Sequence, residues 1–141
     1  ISASALVLLS LAIGTRIELA DFPRPPIGKA ADAVSKRWKP GDTILQSAYA
    51  TGPPLDQDLA IHLSPQERQS LVLTRNVGLK PFADSLASGK PIFTVTPIAG
   101  YTTVALAPPP EIASKFTRTW WRSWHGLVTV DAVEWTPKPI R

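Results

Sequence analysis

From Ile1 to Thr15 no side chain is charged, and the first charge is Arg16. An uncharged run of this length falls short of the ~20 apolar residues that cross a bilayer core. It reads as an apolar helix over residues 1–20, an anchor or the trailing part of a transmembrane segment. A signal-peptide core and a buried helix of a soluble fold are the competing readings. Asp21-Phe22-Pro23-Arg24-Pro25-Pro26 follows, and its prolines forbid helix, which makes residues 21–27 a stiff linker.

The pattern then becomes periodic. Ala30, Ala31, Val34 and Trp38 form one apolar stripe at helical spacing, with Lys29, Asp32, Lys36 and Arg37 largely off it, so a helix is predicted from Gly28 to Lys39. Lys39-Pro40-Gly41-Asp42 stops it, and Thr43 to Tyr49 reads as a strand. Ala50 to Ser64 is a long loop. Ser64-Pro65-Gln66-Glu67 has the form of a helix start, with Ser as N-cap, Pro in the first turn and Glu in the capping-box position. Leu71 to Thr74 is a strand, and Lys80 to Ser88 a short helix with Phe82, Ala83, Leu86 and Ala87 on one side. Gly89-Lys90-Pro91 ends it, and Ile92 to Thr96 is the clearest buried strand.

Tyr101 to Ala107 is a further strand candidate. Ile112, Phe116, Trp120 and Trp124 repeat every four residues and predict a helix from Glu111 to Trp124, closed by Gly126. Leu127 to Trp135 alternates as a last strand, and residues 136–141 are an extended tail. Helices alternating with strands predict an α/β domain over residues 28–135, with a mixed, largely parallel sheet of four or five strands and flanking helices.

Composition narrows the possibilities. Hydrophobic residues at 44% against 18% charged exclude a disordered polyelectrolyte. With 0 Cys there is no disulfide scaffold, thiolate zinc site or cysteine nucleophile. A net charge of +4 lacks the dense Lys/Arg stripe of a nucleic-acid binder; it suits solubility or attraction to anionic lipid head groups.

Catalytic signatures are sparse. There is no dinucleotide or mononucleotide phosphate loop and no nucleophile elbow. Ser88-Gly89-Lys90 is followed by Pro91 and a strand, whereas a phosphate loop needs a helix there. Asp56, Asp58 and His62 offer metal ligands from one loop, against which stands a plain solvated loop; no bound metal is expected. His125 reads as a helix C-terminal cap. Asp131 and Glu134 are three apart in a strand and so point to opposite faces. The carboxyl ends of the parallel strands, where sites of open sheets collect, carry Tyr49, Asn76 and Tyr101 but no acid, base or nucleophile. The reading is of a chain with no catalytic residue, no cofactor and no metal.

The distinctive segment is Trp120-Trp121-Arg122-Ser123-Trp124, preceded by Lys115 and Arg118. On the predicted helix Trp120 and Trp124 belong to the core. Trp121 joins Lys115, Arg118 and Arg122 in an outward cationic, aromatic face. Such a face suits a membrane interface or a protein hot spot.

One arrangement has a counterpart elsewhere. The apolar run Ala5 to Ile13, a helix Ala30 to Trp38 ending in Trp, and Lys39-Pro40-Gly41-Asp42-Thr43-Ile44-Leu45 resemble the passage from the last membrane helix into the extracytoplasmic tail of polytopic, lipid-linked-sugar-dependent glycosyltransferases. Gly89-Lys90-Pro91-Ile92-Phe93-Thr94-Val95 is similar to a later strand of such tails. The resemblance covers about half of the chain. Catalytic carboxylates of that family lie near its N-terminal membrane helices, and nothing here matches them, so it implies a non-catalytic tail on the extracytoplasmic side. The expectation is a membrane-associated accessory or scaffolding domain, meeting a membrane or membrane-protein partner through residues 1–20 and the 115–122 face. The alternatives are an accessory subunit of a larger membrane complex, and a small soluble enzyme or ligand-binding protein using the Asp56–His62 loop.

Overall fold

A computed structural model describes residues 26–47, 58–74, 78–98, 105–126 and 128–140. The predicted apolar helix, most of the Pro-rich linker, Asp56, and the strand ends at Tyr49, Asn76 and Tyr101 lie outside the described residues.

Helix α1 (Ile27–Ser35) leads into β1 (Thr43–Ser47), and two short helices, α2 (Asp58–His62) and α3 (Pro65–Gln69), precede β2 (Leu71–Thr74). Helix α4 (Leu79–Ser88) is followed by β3 (Ile92–Ile98), β4 (Phe116–Trp124) and β5 (Thr129–Pro137). The five strands form one mixed sheet in the order β2-β1-β3-β5-β4. Strand β1 pairs in parallel with β2 and β3, while β5 runs antiparallel to both β3 and β4. The α/β class and the flanking helices are as the sequence predicts.

Local chemistry explains the boundaries. At the Lys39-Pro40-Gly41-Asp42 turn, Gly41 takes a positive φ of 95°, which a side chain would resist. The Asp42 carboxylate accepts the Lys39 N–H at 2.9 Å, and Trp38 Nε1 donates to the Asp42 carbonyl at 3.0 Å. Helix α3 begins with a capping box. Ser64 Oγ accepts the Glu67 N–H at 3.2 Å, and the Glu67 carboxylate accepts the Ser64 N–H at 2.8 Å. Gly89 ends α4 in the left-handed conformation, at φ 69°.

The sheet separates two cores. On one face Ile44, Phe93, Val95, Val130 and Ala132 pack under α1 and α2, which supply Ala30, Ala31, Val34 and Leu59, with Leu63 just after α2. On the other, Leu45, Ile92 and Phe116 meet Phe82 of α4, with Leu106 closing the cluster. The phenyl rings of Phe82 and Phe116 meet edge to face at 5.6 Å. The buried side of α4 is Phe82, Ser85 and partly Leu86, whereas Ala83 and Ala87 face solvent. The Ser85 hydroxyl donates to the Lys90 carbonyl, which satisfies a polar group on the buried side in place of the expected alanines.

The helix predicted from Glu111 to Trp124 does not form. Ala113–Lys115 make a single 3-10 turn and Phe116–Trp124 are strand β4. A spacing of four is a multiple of two, so it fits an alternating strand as well as a helix. Threonine and tryptophan, which dominate this segment, favour the pleated surface. His125 and Gly126 consequently sit in the β4–β5 connection rather than at a helix end. Of the strand expected over Tyr101–Ala107, the described part, from Ala105 onward, has no regular structure. Thr136 and Pro137, assigned to the tail, extend β5.

Candidate functional site

Strand β4 lies at the end of the sheet and, among the described residues, pairs with β5 alone. Its register with β5 shifts between Arg118 and Trp120, so Thr119 is an extra residue. The Thr119 hydroxyl is tied to the Thr136 hydroxyl at 2.8 Å. This bulge reverses the alternation. Before it, Phe116 and Arg118 lie on the α4 side, opposite Pro137 and Trp135. After it, Trp120, Arg122 and Trp124 lie on the α1 side, opposite Glu134, Ala132 and Val130, and Trp121 takes the α4 side.

Arg118 and Trp121, three residues apart, thus share one face. The Arg118 guanidinium stands over the Trp121 indole at 5.6 Å, and Trp121 is 54% exposed. Arg122 is separated from them by the sheet, with its guanidinium over Trp124 at 5.5 Å. Lys115 is exposed in the 3-10 turn, whose Ser114 carbonyl accepts Lys138 Nζ at 2.7 Å. All four predicted residues, Lys115, Arg118, Trp121 and Arg122, face outward. The expected single face is divided in two, because consecutive strand residues point to opposite sides.

Trp120 and Trp124 are partly buried against the core under α1. Arg37, in the turn just after α1, lies over Trp120 at 5.4 Å and donates to the Glu134 carboxylate at 2.7 Å. Three arginine–tryptophan pairs therefore follow β4, two on the α1 side and one on the other. A cation above an indole is attracted by the ring quadrupole, which holds an otherwise mobile side chain in place. Arg37 escaped the sequence reading because its partner Trp120 is far away in the chain; the available signal was a second cationic stripe, Lys29, Lys36 and Arg37, at helical spacing.

Other candidates remain dispersed. His62 ends α2 exposed, with its ring against Gly28 of α1. Among the described residues no three His, Asp or Glu side chains are placed to hold a metal ion. Asp131 bonds the Ser123 hydroxyl on one side of the sheet, while Glu134 pairs with Arg37 on the other. His125 Nδ1 is 3.5 Å from the Thr129 hydroxyl. The serine, the histidine and the carboxylates form no nucleophilic relay, which needs the imidazole between the other two.

Two carboxyls are perturbed in opposite senses. Burial pushes Asp42 above its ordinary value, and the nearby Glu134 charge adds to this; the Lys39 N–H bond and the Lys90 and Lys39 charges only partly offset it. Burial also acts to raise Glu67, but bonds from the Ser64 N–H and the Ser64 and Ser35 hydroxyls outweigh it and lower the group. Both groups are structural. Gln46 differs: its side-chain nitrogen and oxygen are buried and make no hydrogen bond among the described residues.

Among the described residues no helix is long and apolar enough to cross a membrane. A scan against protein-family models and a search of curated proteins each found no match to this chain.

Proposed function

We propose that this domain is a non-catalytic binding module that docks on an anionic membrane surface through the Arg118–Trp121 side of β4. The exposed Trp121 indole beneath the Arg118 guanidinium is the observation that carries the reading. An indole is amphipathic and concentrates at the level of lipid head groups, and a guanidinium meets phosphate there by bidentate hydrogen bonds. Lys115 adds charge near the start of the same strand. On this reading residues 1–20 supply the anchor, and the domain serves as an accessory tail on the extracytoplasmic side, as the glycosyltransferase resemblance implies.

A protein strand adding to the edge of β4 is the rival use of this surface. The bulge at Thr119 and the charges of Arg118 and Arg122 are the devices by which sheet edges resist such pairing. They favour a contact made by side chains.

Sedimentation of the full chain with neutral and with anionic vesicles, at low and high salt, tests the proposal. Binding by the apolar segment is insensitive to lipid charge, so the charge-dependent part reports on the domain. That part should fall in Arg118→Ala/Trp121→Ala and with salt. An unchanged charge-dependent part would reduce this face to solvated surface.

A further inference from the structure

On the opposite side of the sheet, α1 and β4 run antiparallel to one another as the walls of a groove. At one end Arg37 lies over Trp120. At the other, a Cβ on Gly126 would come 3.5 Å from Pro26 Cδ. The groove is open to solvent and spans about 440 Å³. Its strand wall is Trp120, Arg122 and Trp124; its helix wall includes Lys29, Asp32 and Lys36.

Charge in the groove is unbalanced. Arg37 is neutralised by Glu134. Lys29, Lys36 and Arg122 have no ion-pair partner among the described residues, and Asp32 is the one carboxylate on the walls. The Arg122 guanidinium stands over Trp124 at 5.5 Å and makes no side-chain hydrogen bond among the described residues. Lys29 stands in the first turn of α1, where the helix dipole is positive. The two features favour an anion between these walls, which also carry the Trp124 indole and the small Ala33.

We propose that this groove binds a phosphomonoester, with the phosphate met by the unpaired cations Lys29, Lys36 and Arg122 and the carbon body lying along Trp124. A phosphomonoester carries a charge of about −1.5 to −2 near neutrality, which suits three cations offset by one carboxylate better than a monoanion does. The site stands apart from the Arg118–Trp121 face and does not depend on that face meeting a membrane.

The ¹H–¹⁵N indole signals of the full chain, titrated with inorganic phosphate and with a soluble short-chain phosphatidic acid, test the proposal. Chloride at equal ionic strength is the control. The Trp124 and Trp120 signals should shift saturably while Trp38 and Trp135 do not. Lys29→Gln/Lys36→Gln, two exposed positions, should weaken the affinity about tenfold or more, which is about 1.4 kcal/mol. Arg118→Ala/Trp121→Ala should keep it, and this separates failure of the groove from failure of the membrane face. Tighter binding of the amphiphile than of phosphate assigns a lipid head group; equal binding assigns a small soluble phosphate. Shifts matched by chloride, or affinity unchanged in the lysine variant, would overturn the proposal.

Discussion

Gln46 shows how one residue departs from the packing around it. It sits fully buried in β1, on the α1 side of the sheet, with both polar atoms unpaired among the described residues. A buried amide without partners loses its hydration and regains nothing, at a cost of about 1–3 kcal/mol. Gln46→Met, close in volume and apolar, is therefore expected to stabilise the domain in urea denaturation by an amount of that order. A destabilised variant would show that the amide is satisfied in solution. Asp42 offers a second measurement. Its folded-state affinity for a proton is raised, so between its ordinary value and its raised value the folded chain holds more proton than the unfolded one. Its contribution to stability accordingly falls as pH rises through that window, and remains unfavourable above it. Glu67, lowered, acts in the opposite sense: its contribution is present above the ordinary glutamate value and is lost as pH falls through its folded value. Asp42→Asn keeps an acceptor for the Lys39 N–H and removes the charge, so urea denaturation over a pH series should show it gaining on the wild type as pH rises through the window. A constant difference at all pH values would contradict this account of Asp42.

At the level of elements, the strands differ in how deeply they are held. Strand β3 lies between β1 and β5, with Phe93 and Val95 wholly buried, whereas β4 is an edge with Trp120 and Trp124 only partly covered. Phe93→Ala should cost about 3–5 kcal/mol, the usual loss for a buried aromatic, and Trp120→Ala clearly less. Equal losses in urea denaturation would place Trp120 in the core. Elements with an explicit chemical stop were readable in the sequence: the Pro-Gly-Asp turn before β1, the capping box of α3, the left-handed Gly89 after α4, and the apolar run of β3. Strand β4 is not legible in the sequence, because its four-residue spacing satisfies both periods and the bulge at Thr119 is set by pairing with β5 rather than by local sequence. The same ambiguity governs the site. The outward positions of Lys115, Arg118, Trp121 and Arg122 survived, since polar side chains seek water on either element. Their grouping did not, because neighbours that a helix holds within one broad face are sent by a strand to opposite sides. The pairing of Arg37 with Trp120 is a tertiary contact with no local trace.

For the whole molecule, two basic, tryptophan-bearing surfaces lie on the two sides of one edge strand. One, Arg118 with Trp121, is exposed and suited to an interface; the other, lined by α1, is a groove suited to a small anion. The apolar cores leave neither of them to packing alone, and the described residues bring no catalytic group to either. The central claim is that Trp121 enters the lipid interface. Quenching of tryptophan fluorescence by brominated lipid in anionic vesicles measures this directly, comparing the full chain with Trp121→Phe and with Trp135→Phe. Trp135 donates its indole N–H to Thr94 at 3.1 Å on the inner part of the sheet and serves as the internal control. Trp121→Phe should remove most of the quenching and Trp135→Phe little of it. Quenching that persists in Trp121→Phe would contradict the account, because the indoles that meet the lipid would then lie elsewhere in the molecule.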